Sequence, residues 1–171
     1  QIPKLSPQCG LTYDKAFPGL IPDPSAERMW IERHAHSVLL DLEYARRHGM
    51  PLYPFTDVLV VPTSLWDKYG DEMKVNGKLS IRAERTREVM RAQIEELFRR
   101  YPDLPGFTLR FGETYLHDTP FHRGTKPVNS PEEHAILINL LRDEVCVKRD
   151  KTLIYRTWDV GNKGTPGLRG G

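Results

Sequence analysis

The sequence is poor in the features that identify several classes of protein. It has 2 cysteines in 171 residues, too few for a disulfide framework, and we expect both to be free thiols. Its 25 basic residues nearly balance its 23 acidic ones, whereas nucleic-acid-binding proteins usually show a basic excess. No apolar run approaches the roughly 20 residues of a membrane span. We therefore expect a soluble protein with neither a nucleic-acid partner nor a membrane partner, in a compartment that the composition leaves open.

Two segments repeat one pattern. Residues 107–113 read Phe-Thr-Leu-Arg-Phe-Gly-Glu, and residues 152–159 read Thr-Leu-Ile-Tyr-Arg-Thr-Trp-Asp. Each is a short β-type run with an arginine inside it and a carboxylate three residues later, and each follows a long helical pattern. Strands that deliver carboxylates at their C-terminal ends are typical of active sites in parallel α/β barrels. The repeat therefore favours an enzyme.

The hydrophobic periodicity predicts helices and strands that alternate along the chain. They are a helix from the Ser25 cap to Gly49, a strand over 52–61, a helix over 83–101, a strand from Gly106, a helix from the Ser130 cap and a strand from Thr152. Such an order predicts parallel strands joined by right-handed crossovers. Because a complete barrel takes about 250 residues, we expect an α/β fold whose parallel βα units form part of a TIM-type (β/α)8 barrel, incomplete in this chain.

The domain organisation follows from the same pattern. We expect an extended lead-in over residues 1–24, the partial barrel over 25–160 and a glycine-rich loop or tail over 161–171. Within the barrel, residues 65–78 are expected to be irregular and 114–129 to form a long loop. A parallel sheet with open edges needs cover, so the expected partner is the remainder of the barrel or another chain.

Two carboxylates are the candidates for catalysis. Glu113 follows Gly112 at the end of its strand, and a carboxyl group partly shielded from water there could serve as a general acid. Asp159 holds the equivalent position in the next unit, and adjacent barrel strands end close together. Paired carboxylates are the groups used in glycoside hydrolysis. The alternatives are a surface acid for Glu113 and a turn cap for Asp159.

Two arginines lie within the repeated strands. Arg110 and Arg156 are unsuited to the apolar helix-facing side of a sheet, so we expect them to line the lumen. There they could bind a carboxylate or a hydroxyl of a substrate, or belong to a structural ion-pair network. Asp57, inside the preceding strand, is expected to be the buried partner of one of them.

Four aromatic side chains are candidates for a platform beneath a sugar ring, with simple packing as the alternative. They are Trp66, Tyr115, Phe121 and Trp158.

The histidines give weak support for a metal. His117 and His122, in the long loop, are expected to hydrogen-bond the substrate. His34 and His36 lie two residues apart in a helix, where side chains diverge, and we expect both to be solvated. We therefore expect no metal and no cofactor, while a metal-dependent hydrolase that uses His117, His122 and Asp159 is a second hypothesis.

Residues 99–107, Arg-Arg-Tyr-Pro-Asp-Leu-Pro-Gly-Phe, followed by Glu113, resemble the middle of the barrel in α-glucuronidases and related glycoside hydrolases. In that family, a helix leads through a similar turn into the strand that carries the general acid. Residues 154–158, Ile-Tyr-Arg-Thr-Trp, resemble the strand that follows, so the similarity covers about residues 85–160. It implies an internal segment of a glycosidase barrel that acts on a plant-type or other polysaccharide or oligosaccharide, with Glu113 as the acid that protonates the leaving oxygen.

A third hypothesis needs no catalysis. The chain could be an α/β binding or assembly module whose exposed strand edges pair with another chain.

Overall fold

A computed structural model describes residues 6–57, 59–110 and 119–156. The helices are α1 (Ala26–Arg47), α2 (Thr63–Tyr69), α3 (Glu84–Arg100) and α4 (Pro131–Leu141). The strands are β1 (Phe55–Asp57), β2 (Val60–Pro62), β3 (Lys74–Val75), β4 (Lys78–Leu79), β5 (Gly106–Arg110), β6 (His122–Gly124) and β7 (Thr152–Tyr155). A 3-10 turn, Pro7–Gly10, precedes α1, and a π-helical turn, Arg142–Val147, continues α4.

Three strands form a parallel sheet in the order β1-β5-β7. The chain crosses from β1 to β5 by way of α3 and from β5 to β7 by way of α4. The three strands of this sheet thus lie side by side in the order in which the chain reaches them, as expected for successive βα units. The predicted α/β class and the parallel pairing are confirmed.

The starts of two helices follow from their caps. Ser25 Oγ accepts a hydrogen bond from the Arg28 amide at 3.1 Å, and Ser130 Oγ accepts one from the Glu133 amide at 3.3 Å. Both caps were predicted from sequence and are confirmed. Each satisfies an amide that the first turn of a helix leaves without a partner.

The predicted strand over residues 52–61 is wrong as a single strand. β1 joins the parallel sheet, whereas β2 pairs in the antiparallel direction with β6, so that Val60 lies opposite Gly124 and Pro62 opposite His122. Both short strands are largely buried, and a continuous apolar run does not distinguish one buried strand from two. Strand β6 also lies inside the segment expected to be a long loop.

The segment expected to be irregular, residues 65–78, is ordered. Helix α2 fills its first part, and β3 and β4 form a hairpin in the second. Asn76 and Gly77 form the two-residue turn, with φ values of 51° and 75°. Asn-Gly between two short strands is a strong hairpin signal, so this element could have been found from the sequence.

The core lies between the helices and one face of the parallel sheet. The described part of the predicted lead-in contributes buried side chains to it, namely Leu11, Tyr13, Phe17, Leu20 and Ile21. In α1, Ala35 and Val38 are buried as expected from the apolar stripe, but Leu39 is 42% exposed. Within the residues that the structure describes, no helix has both the length and the apolar character needed to cross a membrane.

Candidate active site

The carboxyl ends of the three parallel strands bring charged side chains together. Asp57 ends β1 and lies opposite Arg110, which ends β5. Leu109 lies opposite Tyr155 in β7, so Arg156 is the next residue along that neighbouring strand. Carboxyl ends of parallel strands are the usual position of active sites in α/β folds.

The two faces of the sheet differ in what covers them. On one face, Phe107 packs against Phe98 of α3, with ring centroids 6.1 Å apart, and the hydroxyl of Tyr155 lies 3.0 Å from Nδ1 of His134 in α4. On the other face, Phe55 is 40% exposed and Ile154 is 41% exposed. Because side chains alternate along a strand, Asp57 and Arg110 belong to this second face.

Asp57 and Arg110 form a two-pronged ion pair. Nε of Arg110 donates to Oδ1 of Asp57 at 2.6 Å, and Nη2 donates to Oδ2 at 2.5 Å. The residues are only 4% and 7% exposed. The prediction that Asp57 is the buried partner of an arginine is confirmed. The pair fixes the guanidinium plane at the sheet end, since both bonds must keep their geometry at once.

Arg156 belongs to the same group. Its guanidinium carbon lies 5.6 Å from the centre of the Phe55 ring, and that of Arg110 lies at the same distance. Arg156 therefore extends across the sheet face towards β1, over the intervening strand. Two cations within 6 Å of one aromatic ring form favourable cation–π contacts, which hold both arginines over this face.

Cys9 lies near the ion pair but is not a reactive thiol. It is buried in the 3-10 turn, and the structure shows both cysteines free, as expected. Burial raises the pKa of Cys9 far above its ordinary value, and the nearby charge of Asp57 raises it further. The thiolate is the nucleophilic form, so Cys9 stays neutral and behaves as a small apolar side chain.

His122 begins β6, where it lies opposite Pro62 of β2. It is 5% exposed, and its Nδ1 lies 2.9 Å from the carbonyl oxygen of Pro120. Burial lowers the pKa of His122 to about 4, and the neighbouring His34 also lowers it. The His122 imidazole is therefore neutral at every pH well above 4.

The prediction that His34 is solvated is wrong. It is partly buried, and its Nε2 lies 2.9 Å from the carbonyl oxygen of Ser6. Its ring stacks on Trp30, with centroids 5.1 Å apart, while His122 approaches the same indole at 5.3 Å. His36 is exposed, as predicted. The spacing of Trp30 and His34, four residues apart on α1, was the available signal for this cluster.

The remaining candidates divide into two groups. Trp66 is partly buried against the core, and Phe121 is 41% exposed. Five predicted site residues lie outside the described residues: Glu113, Tyr115, His117, Trp158 and Asp159.

Among the residues that the structure describes, no three His, Cys, Asp or Glu side chains are grouped so as to hold a metal ion.

A small cavity lies elsewhere, at the surface of α3. It has a volume of about 120 Å³ and is lined by Lys15, Ala16, Ala92, Glu95, Glu96 and Arg99. Two of its charges, Lys15 and Glu95, already pair with each other, and Glu96 accepts a hydrogen bond from the Thr12 amide at 2.7 Å. Because these groups already pair with neighbouring residues, the carboxyl ends of β1, β5 and β7 are the better candidate for an active site.

Comparison of the chain with protein-family models, with curated proteins and with solved structures found no match.

Proposed function

We propose that the chain is part of a TIM-type (β/α)8-barrel glycoside hydrolase, with Glu113 as the general acid. One observation carries the proposal: three consecutive parallel strands place Asp57, Arg110 and Arg156 at their carboxyl ends, on the face away from α3 and α4. That is where barrel enzymes hold their catalytic groups. The other strands of the barrel would be supplied by polypeptide beyond these 171 residues.

The proposed acid follows directly from this edge in the sequence. Glu113 comes three residues after Arg110, and Asp159 comes three residues after Arg156. Three residues span at most about 11 Å, so the chain itself limits how far each of these residues can lie from its arginine. Glu113 would protonate the leaving glycosidic oxygen, and Asp159 would serve as the second carboxylate.

The ion pair compensates the charge of the arginine that precedes the proposed acid by three residues in the sequence. Nε and Nη2 of Arg110 donate to the carboxylate of Asp57. A counter-ion of this kind reduces the effect that a guanidinium has on the pKa of other carboxyl groups.

Substrate binding is assigned to the groups around this edge. Arg110 and Arg156 would bind hydroxyl or carboxylate groups of the sugar, since guanidinium groups suit both. Tyr115 and Trp158 would contact the sugar ring, and His117 would hydrogen-bond its hydroxyls. The resemblance to α-glucuronidases makes an α-linked glucuronic acid the first substrate to test.

The test is a comparison of leaving groups in the Glu113→Gln variant. Methyl α-D-glucuronide has a leaving group that needs a proton, whereas 4-nitrophenyl α-D-glucuronide has one that leaves without it. We expect the variant to lose about 10²–10⁴-fold in kcat/KM on the methyl glycoside and far less on the nitrophenyl glycoside. Glu95→Gln, on the exposed surface of α3, is the control. Equal losses on the two substrates, or none, would contradict the role of Glu113.

A non-catalytic assembly module is the second candidate function. It is favoured by the exposure of Phe55 and Ile154 on β1 and β7, the outer strands of the described sheet. Outer strands can add a strand from a partner. If neither glucuronide is hydrolysed by the wild-type protein, but replacing Ile154 with lysine abolishes a defined oligomer or complex, this function replaces the first.

A further inference from the structure

The β2–β6 ribbon joins the two segments that leave the carboxyl ends of β1 and β5. Pro62 and His122 are paired in register, the Thr63 amide donates to the Phe121 carbonyl at 2.8 Å, and the Leu59 amide donates to the Thr125 carbonyl at 3.0 Å. These contacts fix residues 59–63 against residues 121–125.

His122 joins the ribbon to α1 in one protonation state only. A carbonyl oxygen can only accept a hydrogen bond, so the contact with Pro120 makes Nδ1 the protonated nitrogen. In the neutral ring, Nε2 then carries a lone pair. Nε2 is buried and has no hydrogen-bond partner among the described residues. A second proton would therefore place a buried positive charge there with nothing to bind it.

The groups that face His122 do not favour such a charge. From α1 come the Trp30 ring and His34, a second imidazole that would add like charge when protonated. Glu27, the α1 carboxylate that reaches the end of the ribbon, is already bonded to the amide of Ser64 at 3.1 Å and to its hydroxyl. On β6 itself, the adjacent Arg123 is exposed on the opposite side of the strand from the buried His122, so it does not face the ring.

We propose that His122 is a positioning residue and not a substrate ligand: as a neutral imidazole packed against Trp30, it holds the β2–β6 ribbon on α1, and protonation of the ring releases that contact. The consequence for catalysis rests on the proposed function, in which the acid belongs to the residues between β5 and β6. The contact itself does not depend on any activity.

The direction of the pH effect follows from the lowered pKa of His122. An unfolded chain takes up a proton near the ordinary value of 6.5, whereas the folded chain does so only near 4. The stabilisation from the neutral ring is therefore complete above pH 6.5 and is lost as the pH falls from 6.5 towards 4. At tenfold per pKa unit, the unfolding equilibrium constant should rise roughly 30-fold from this group between pH 7.5 and pH 5.

The first measurement is an NMR titration of the histidine rings in the full chain. We expect the His122 ring to carry its proton on Nδ1 at neutral pH and to remain neutral at pH 5. Titration of His122 near its ordinary pKa, or the opposite tautomer, would overturn the proposal even if no variant could be produced.

The second measurement compares His122→Asn with His36→Asn by urea unfolding at pH 7.5 and pH 5. Asparagine keeps a donor for the Pro120 carbonyl but does not titrate in this range. His36 is an exposed histidine of α1, the helix that carries Trp30 and His34. We expect the roughly 30-fold pH effect to disappear in the His122 variant and to persist in the His36 variant. A pH effect unchanged in His122→Asn would overturn the proposal.

The kinetic readout separates this proposal from the proposed function. If the protein hydrolyses a glucuronide, the acid limb of kcat/KM should move to lower pH in His122→Asn and stay unchanged in His36→Asn. An acid limb that does not move would contradict the positioning role. If the wild-type protein is inactive, the proposed function fails, and the titration and unfolding results still decide whether His122 holds the ribbon.

Discussion

At the scale of single residues, the pair of Asp57 and Arg110 is the strongest link between structure and proposed chemistry. Its two hydrogen bonds are short, and both residues are almost fully buried. Burying a charge is costly unless a partner satisfies it. Loss of either partner should therefore affect both the stability of the sheet end and the chemistry beside it.

We expect Asp57→Asn to lower the free energy of unfolding by about 3 kcal/mol, because it leaves the Arg110 charge buried without its counter-ion. Urea unfolding at neutral pH measures the change. Glu43→Gln is the matched control, since Glu43 pairs with Arg46 on the exposed surface of α1, and such pairs contribute about 0–1 kcal/mol. Similar losses in the two variants would mean that the buried pair is not structurally important.

The sequence indicated part of this site for a clear reason. A charged residue inside an apolar strand needs a partner, and each repeated strand supplies an arginine, so the pairing of Asp57 with one of the two could be predicted, but not that it is Arg110. The Trp30 contact with His122 could not, because it joins residues 92 positions apart on elements of different type. The partial burial of His34 has no signal in the sequence either, since helical periodicity alone does not reveal its contacts with Ser6 and with the ribbon.

At the scale of elements, two local features fix how the helices and strands are placed. They are the capped starts of the helices and the close approach of neighbouring strands. Ser25 begins the helix that carries Trp30 and His34, so its cap determines where these side chains lie.

We expect Ser25→Ala to cost about 1 kcal/mol of unfolding free energy, because the Arg28 amide loses its acceptor. Ser37→Ala is the control, as Ser37 is an exposed serine in the middle of the same helix and alanine is the better helix former there. Chemical denaturation of both variants gives the comparison. An equal effect at the two positions would show that the cap contributes nothing specific.

Gly106 is required by the contact between β5 and β7. A Cβ atom at this position would stand 1.9 Å from the carbonyl oxygen of Thr152, a separation that no pair of non-bonded atoms tolerates. Gly106→Ala should therefore force the two strands apart and destabilise the protein by more than the roughly 1 kcal/mol expected for Gly77→Ala, where only the positive φ is strained. Thermal unfolding of both variants tests the order, and the reverse order would contradict this packing.

The elements also show where sequence reasoning reaches its limit. The bounds of α1 and α3 and the start of α4 agree with the predictions within one or two residues, because caps and apolar stripes are local signals. The π-helical continuation of α4 has no such signal. The division of residues 52–61 into β1 and β2 has no local signal, because it depends on pairing with β6, 60 to 64 residues away. The hairpin at Asn76 and Gly77, in contrast, has a local signal in the Asn-Gly turn itself.

At the scale of the whole molecule, the parallel order β1-β5-β7 is the feature on which the functional argument depends. Alternating helices and strands predicted it, since a crossover of this length returns the chain in the same direction. A closed barrel of this type needs eight parallel strands, whereas the described residues contain three. The support that the sheet gives to the proposed barrel is the position of Asp57, Arg110 and Arg156 at the carboxyl ends of its strands.

The most direct measurement is the mapping of D-glucuronic acid binding by backbone amide shifts in NMR spectra of the full chain, with D-glucose as the control. We expect the acid to shift the amides of Arg110 and Arg156 at the carboxyl ends of β5 and β7. Gly106 and Thr152, at the amino ends of the same strands, should not move, and D-glucose should have a weaker effect because it lacks the carboxylate. Shifts at the amino ends or at the Lys15 cavity, with none at the two arginines, would contradict an active site at the carboxyl edge of the sheet.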